Sequence, residues 1–266
     1  MTEPPAEFNP RRFRTTVPYY ARYRLAYPDR LIARVMEIIG LRRGDSVMDL
    51  GCGPGLLTLP FAQAGLRVTA IDPEPDMLAE ARRAVAEAGV AAELLQGSSF
   101  ALPDGIGPFK LVAMGRSFHW MDRAATLRSL DARVTADGAI ALFDDDHPKT
   151  TENIWRRILR DIGNKYGREA SPNVAEANSP GHRSHESWLL DSTFNRIERC
   201  GVIVRRTISV DEVVGLAFSL STSSPEKLGD LAPQFEAELR AALAEQTSCG
   251  HFTEIAELSA LVAWRG

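Results

Sequence analysis

Cysteine is scarce in this chain, with three residues among 266. Cys52, Cys200 and Cys249 are odd in number and do not follow the spacing of metal ligands. The sequence therefore indicates neither a disulfide framework nor a zinc site, and we expect a reduced compartment.

Long apolar runs and an excess of positive charge are also missing. No run approaches the roughly 20 residues that cross a membrane, and the segment MTEPPAEFNPRRFR lacks the apolar core of a signal peptide. The net charge is −4 and the isoelectric point is about 5.8, which gives no electrostatic reason to bind nucleic acid. We expect a cytoplasmic protein with no membrane or nucleic-acid partner.

Short apolar segments alternate with amphipathic segments up to residue 146. DSVMDL, RVTAID, FKLVAMG and GAIALFD are typical of buried strands, and PEPDMLAEARRAVAEAG is typical of a helix that ends at a glycine. This alternation predicts an α/β fold with a Rossmann-like, doubly wound and mostly parallel sheet of seven strands. Further along, FNRIERCGVIVRRTISV predicts two strands joined by a tight turn at Gly201, and residues 167–186 predict a polar surface loop.

A glycine-rich turn follows the first predicted strand, in the stretch VMDLGCGPGLLTLP. A strand followed by such a turn lets the backbone approach a nucleotide. A phosphate-binding Walker loop needs a lysine after its last glycine, and none follows here. A dinucleotide fingerprint needs a third glycine where Leu56 stands, so Gly51, Gly53 and Gly55 fit it only in part.

Two carboxylates favour a different ligand for this turn. Asp49 lies two residues before Gly51, where a carboxylate would repel a pyrophosphate and attract an ammonium group. Asp72 ends the second predicted strand, where an acid can accept hydrogen bonds from both ribose hydroxyls. Together these residues indicate an adenosine that carries a cationic tail rather than a diphosphate.

Four segments, VMDLGCGPG, VTAIDPEPDML, FKLVAMGRSFHWMD and DGAIALFD, together resemble the class I S-adenosylmethionine-dependent methyltransferases. YYARYRLAYP and SFHW resemble the small-molecule group that includes trans-aconitate methyltransferase-like and antibiotic-pathway enzymes. The resemblance covers about Tyr19 to Phe143. It implies S-adenosylmethionine as cofactor, S-adenosylhomocysteine as product, and methyl transfer to an oxygen or nitrogen of a polar small molecule, such as a secondary metabolite in antibiotic biosynthesis.

The resemblance also implies roles for individual cofactor-binding positions. Gly51 and Gly53 let the backbone pass beside the methionine part, Asp49 orients its amino group, and Asp72 holds the ribose. Arg24 is expected to pair with the cofactor carboxylate.

The adenine contacts depart from the family pattern. Family members often place an acid after a glycine at this point, whereas this chain has Gly97 followed by Ser98, Ser99 and Phe100. We expect a serine to bond the adenine edge and the phenyl ring to pack on it. The other expected cofactor-binding positions are Cys52, Pro73, Met77, Gly115 and Arg116.

Catalytic residues are expected beyond the carboxyl ends of the strands, where ligands bind in such sheets. The segment GRSFHWMD would then border the methyl group, with Phe118 as either a pocket wall or a core residue and His119 as a candidate general base. The alternative role of His119 is to bond the backbone and position Trp120. At least one of Tyr19 and Tyr20 is expected to contact cofactor or substrate from an N-terminal lid, with core packing as the alternative.

Four positions are expected to contact the acceptor: Trp120, Tyr27, Asp144 and His147. Three acids and a histidine in FDDDHP invite a metal hypothesis, but consecutive residues cannot all face one ion, so no metal is expected. The residues do not distinguish oxygen, nitrogen and carbon acceptors, and a homo-oligomer stays open.

Three other functions remain alternatives at this point. A nucleobase methyltransferase typically has an Asn/Asp-Pro-Pro-aromatic turn after the fourth strand, where this chain has GRSFHW. The others are an NAD-dependent oxidoreductase and a cofactor-binding protein without catalytic activity.

The chain is expected to divide into four segments. Their bounds are 1–45 for the N-terminal lid and helix, 46–146 for the cofactor-binding core, 147–190 for a helical and loop insertion that caps the substrate, and 191–266 for strands and helices that complete the sheet and pocket.

Overall fold

The computed structural model describes residues 9, 11, 13–167, 179 and 181–266. The strands are β1 (Ser46–Leu50), β2 (Arg67–Asp72), β3 (Glu93–Gln96), β4 (Phe109–Gly115), β5 (Val134–Asp146), β6 (Arg196–Ser209) and β7 (His251–Trp264). They form one sheet in the order β3-β2-β1-β4-β5-β7-β6. β1 to β5 are parallel, and β7 is antiparallel to β5 and β6. The predicted seven-stranded, mostly parallel α/β sheet is confirmed.

Helices connect and cover these strands. Those in the described residues are α1 (Val17–Tyr23), α2 (Asp29–Ile39), α3 (Thr58–Gln63), α4 (Pro75–Glu87), α5 (Arg123–Asp131), α6 (Ile154–Lys165), α7 (His185–Leu190), α8 (Val210–Phe218), α9 (Pro225–Leu228) and α10 (Ala232–Ala244). None of the helices in this described part is both long and apolar enough to cross a membrane.

Helix ends follow local chemistry. α4 begins at a proline and is capped by the Glu74 side chain, which accepts a hydrogen bond from the Asp76 N–H. α8 begins with a capping box in which Ser209 and Glu212 each bond the backbone of the other. α2 ends at Gly40, whose φ of 70° suits a glycine.

Each face of the sheet is buried against a different helix layer. Alternate residues of a strand point to opposite faces, so Val47 and Met48 of β1 belong to separate hydrophobic clusters. The cluster around Val47 includes apolar residues of α2 and α3. The cluster around Met48 includes Leu127 and Leu130 of α5. Both faces of the sheet are therefore shielded from solvent, as is usual for a parallel sheet.

A third cluster caps the edge of the sheet where β5 ends. Trp155 of α6, Val213 of α8 and Phe235 of α10 are fully buried in it, together with Phe252 at the start of β7. Because β7 is antiparallel to β5 and Asp146 at the end of β5 pairs with Glu257, the first half of β7 extends beyond the carboxyl end of β5. These helices therefore cover the carboxyl edge of the sheet.

The predicted turn at Gly201 is wrong. β6 continues from Arg196 to Ser209, and Gly201 pairs with Ser259 of β7 within an unbroken register. An isolated glycine inside a strand also marks close packing, and here a Cβ would lie 3.1 Å from Glu257 Oε1. Most of the loop predicted over 167–186 lies outside the described residues.

Candidate active site

The glycine-rich turn joins β1 to α3 at the carboxyl edge of the sheet. Gly51, Gly53 and Gly55 have φ values of 72°, 54° and 91°, which side-chain-bearing residues rarely adopt. A Cβ on Gly51 would lie 2.6 Å from the Ser117 Cβ, whereas a Cβ on Gly53 would have no neighbouring atom within 4 Å. Gly51 therefore permits close packing against the segment after β4, and Gly53 leaves open space.

The two predicted carboxylates flank this turn and are both buried. Asp49 is 1% exposed and accepts a hydrogen bond of 2.6 Å from the Thr58 hydroxyl. Asp72 accepts hydrogen bonds from the N–H groups of Gly53 at 2.8 Å and Glu74 at 2.9 Å. Burial raises the pKa of Asp49 to about 7 and the pKa of Asp72 to about 6. Each carboxylate has further acceptor capacity for a ligand.

A cavity opens between the glycine-rich turn and the N-terminal segment. It is lined by Tyr20, Tyr27, Asp49, Gly51, Cys52, Gly53, Leu56, Leu57, Gly115 and Arg116. All but the two leucines are site positions expected from the sequence. A Cβ on Gly115 would lie 2.9 Å from Leu57 Cδ1 and 3.0 Å from Tyr27 Oη. Only glycine therefore lets these two lining residues pack against the end of β4.

Arg116 forms one wall of the cavity. It is the one non-glycine residue of the described part with a positive φ, at 54°, and strain of this kind is common at functional sites. Its guanidinium pairs with Asp145, donates to the Leu25 carbonyl at 2.8 Å and lies 4.6 Å from the ring centre of Tyr27. Burial acts to raise the pKa of Asp145, but Arg116 reverses this and the pKa falls to about 2. Arg116 Nη1 is buried and has no hydrogen-bond partner among the described residues.

Arg24 supplies a second guanidinium near the same wall. It lies 4.9 Å from the ring centre of Tyr20 and donates to the Ser219 carbonyl at 3.4 Å. Its Nε is also buried without a hydrogen-bond partner in the described ranges. Buried cationic donors are normally paired, so both guanidinium groups have capacity for an acceptor that a ligand would bring.

The helix expected to form the N-terminal lid, α1, has a cavity side and a packing side. Tyr20 lines the cavity. Tyr19 lies 5.2 Å from the Phe218 ring, and Tyr23 packs so closely on Gly215 that a Cβ there would be 2.3 Å from the ring. Tyr19 therefore packs between α1 and α8, the alternative that the sequence left open for it. The sequence did not indicate that its neighbour would be Phe218.

The segment after β4 forms a short 3-10 turn over Phe118–Trp120. Phe118 is 2% exposed and packs in the core against the His185 ring at 5.3 Å. His119 is half-buried beside the Trp120 ring. Burial lowers the pKa of His119 to about 3, and electrostatic repulsion from His185, Arg123 and Arg24 acts in the same direction. The imidazole is therefore neutral near pH 7. Phe118 is not among the cavity-lining residues.

The expected adenine end lies between β2 and β3. The Gly97 N–H donates to the Asp72 carbonyl at 3.2 Å, which places the following serines near Asp72. Ser98 and Ser99 are half-buried, and Phe100 is 8% exposed. Met77 is buried in α4, and the Pro73 carbonyl accepts a hydrogen bond from Gln96 at 3.3 Å.

An N-terminal strap, of which residues 11 and 13–16 are described, contacts the segments that follow β2 and β4. Arg11 pairs with Glu74 at 3.3 Å and Asp76 at 3.0 Å, directly after β2. Phe13 packs edge-on against Trp120 at 5.3 Å, directly after β4. The sequence did not single out Arg11 or Phe13, because the strap acquires its neighbours only through the tertiary fold.

Asp144 and His147 of the segment FDDDHP were both expected to contact the acceptor, and the structure places them in different surroundings. Asp144 is exposed at the end of β5. The His147 side chain is only 4% exposed, and its Nε2 lies 2.8 Å from Glu254 Oε1 on β7. His147 therefore faces a buried carboxylate rather than the cavity. Within the described residues, no group of three or more His, Cys, Asp or Glu side chains is arranged to hold a metal ion.

An open, mostly parallel sheet with a glycine-rich turn directly after β1 is a Rossmann-like α/β fold. A family model described as a methyltransferase domain matches residues 47–138. An uncharacterized methyltransferase from Synechocystis is 32% identical over 147 residues, which cover 48% of this chain and 67% of that protein. A ubiquinone biosynthesis O-methyltransferase from Methylocella silvestris is 35% identical over 125 residues, 43% of this chain and 49% of that enzyme.

The solved structures agree with this fold. A candidate type II methyltransferase from Anaeromyxobacter dehalogenans superimposes with a TM-score of 0.62 and 17% identity, over 91% of this chain and 98% of that one. The chain belongs to the class I S-adenosylmethionine-dependent methyltransferases. It spans about half of the length of one curated relative above and about two thirds of the other.

Proposed function

We propose that this chain binds S-adenosylmethionine at the glycine-rich turn and transfers its methyl group to a polar small molecule. One observation carries the proposal: the cavity has opposite charges on its two sides. Asp49 and Arg116 both line the cavity, where Asp49 offers a carboxylate and Arg116 offers a buried guanidinium N–H without a hydrogen-bond partner among the described residues. Arg24 does not line the cavity but lies against the ring of Tyr20, which does, and has a second such N–H group. The amino-acid end of the donor carries an ammonium and a carboxylate, which match these two sides.

The remaining donor contacts follow from the same orientation. Asp72 would accept hydrogen bonds from the ribose hydroxyls, since each of its oxygens accepts only one backbone N–H among the described contacts. Gly53 would let the donor approach the backbone, because its missing side chain leaves open space. Ser98, Ser99 and Phe100 would contact the adenine, with Pro73, Met77 and Cys52 supporting the turn.

S-adenosylmethionine, when bound, supplies a methyl group on a sulfonium that reacts by in-line displacement. Tyr20 and Tyr27 would exclude water from that side, and α1 holds Tyr20 over the cavity. His119 would face the acceptor as a neutral imidazole, able to accept a hydrogen bond or a proton. Its low pKa makes it a weak base, so positioning of the acceptor is its main role.

The acceptor is proposed to be a polar small molecule that enters between the segment after β4 and the end of β5. Trp120 and Asp144 would border it. The relative named for ubiquinone biosynthesis modifies a small molecule, and the acidic net charge disfavours a nucleic acid. An antibiotic-pathway role, like the cytoplasmic location, remains a prediction from the sequence.

Isothermal titration calorimetry tests the donor assignment. We expect S-adenosylhomocysteine to bind and NAD not to bind. Asp72→Ala should weaken S-adenosylhomocysteine about tenfold or more by removing the ribose acceptor. Asp104→Ala, at an exposed carboxylate, is the matched control and should leave the affinity unchanged. Binding of NAD instead, or unchanged affinity in Asp72→Ala, would contradict the proposal.

A further inference from the structure

A row of ionisable side chains, most of them buried, runs from Arg116 away from the cavity. Arg116 pairs with Asp145, and His147 Nδ1 lies 3.6 Å from the second oxygen of Asp145. His147 Nε2 lies 2.8 Å from Glu254 Oε1, and Arg206 pairs with the other oxygen of Glu254. The side chains of Arg116, His147 and Glu254 are 6%, 4% and 2% exposed, so solvent screens these contacts little.

The histidine is the central member of this row. Its ring stands perpendicular to Trp155 at 5.6 Å, which fixes the plane of the imidazole. The 3.6 Å between His147 Nδ1 and the Asp145 carboxylate is too long for a hydrogen bond, so the ring only packs beside this carboxylate. The hydrogen bond to Glu254 therefore anchors the ring, and the anchored ring keeps Asp145 on the side of Arg116.

The opposite end of the row reaches the helical cap. Arg206 Nη1 lies 3.0 Å from Glu212, the residue that caps α8. α8 carries the Gly215 contact with the N-terminal lid. The row thus joins the cavity wall to the helix on which the lid packs, and none of its members except Arg116 lines the cavity.

The geometry points to His147 as a positioning residue for Arg116: it holds Asp145, and Asp145 holds the guanidinium that faces the donor's amino-acid end. This role differs from the substrate contact expected from the sequence, because the imidazole is buried away from the cavity. The inference rests on the proposed function, since it assigns Arg116 to the amino-acid part of S-adenosylmethionine.

The test compares S-adenosylhomocysteine with methylthioadenosine, which lacks the amino-acid part. We expect His147→Phe to weaken S-adenosylhomocysteine about tenfold and to leave methylthioadenosine unchanged, because only the first ligand needs Arg116 in place. His147→Gln keeps a donor toward Glu254, the bond that anchors the side chain, and should restore part of the selectivity. His251→Phe, at an exposed histidine of β7, is the matched control and should behave like wild type.

The outcomes distinguish failure of the positioning role of His147 from failure of the proposed function. If wild type binds S-adenosylhomocysteine but His147→Phe retains the full selectivity between the ligands, the positioning role is wrong and the proposed function stands. An equal loss for both ligands would also overturn it, since that indicates general damage. If His147→Phe does not fold, Glu254→Gln removes the anchoring charge and should lower the same ratio. Failure of wild type to bind S-adenosylhomocysteine would overturn both.

Discussion

Alanine at Gly51 and at Gly53 should have different effects, although both backbones are left-handed. The left-handed conformation costs alanine about 1–2 kcal/mol at either position. At Gly51 the new Cβ would also lie 2.6 Å from the Ser117 Cβ, and such overpacking costs about 1–3 kcal/mol more. We therefore expect Gly51→Ala to lower the free energy of unfolding by about 2–5 kcal/mol, and Gly53→Ala by about 1–2 kcal/mol.

The effect on binding should be concentrated at Gly53. Its Cβ would enter the open space beside the cavity, so Gly53→Ala should weaken S-adenosylhomocysteine about tenfold while the protein stays folded. Urea unfolding gives the stabilities, and calorimetry gives the affinities.

A double-mutant cycle isolates the clash. Ser117→Gly removes the atom that the new methyl group of Gly51→Ala would meet, so the double variant should recover the overpacking cost but not the backbone cost. Equal losses of stability at Gly51 and Gly53, or full S-adenosylhomocysteine affinity in Gly53→Ala, would refute this reasoning.

Three further predictions concern charge and packing. Burial raises the pKa of Asp49 to about 7, above its unfolded value, so this group destabilises the fold as pH rises from about 4 through 7. The ammonium of S-adenosylhomocysteine needs the ionised carboxylate, so the affinity should rise from pH 5 to 8 by at most about tenfold per pH unit. Thr58→Val removes a hydrogen bond that lowers the pKa of Asp49, so it should move this rise to higher pH. A flat calorimetric profile would contradict this prediction. His119 should show no titration between pH 5 and 8 in imidazole NMR spectra, whereas a midpoint near 6.5 would exclude its burial. Gly215→Ala should lower the thermal midpoint and the S-adenosylhomocysteine affinity by displacing Tyr23 and the lid, and an unchanged affinity would show that the lid does not depend on this contact.

Much of the sheet could be predicted because its signals are local. The strands around Val47 and Leu111 are short, mostly apolar segments, and the glycine-rich turn follows one of them directly. The error at Gly201 arose because an isolated glycine has the same local signature in a turn and inside a strand. Only the pairing with β7 decides between them.

The candidate site was predictable where a residue borders the glycine-rich turn. Asp49, Gly53 and Arg116 all line the cavity. Residues whose partners lie far along the chain were not predictable in this way. Glu254 is 107 residues from His147, and one sequence carries no signal that pairs them.

Diffraction from crystals grown with S-adenosylhomocysteine tests the central claim most directly. We predict density in the cavity beside Gly53, with the ribose hydroxyls within about 3 Å of the Asp72 carboxylate and the ligand carboxylate on the side of Arg116. Ligand density at another edge of the sheet, or in this cavity without contact to Asp72, would contradict the account.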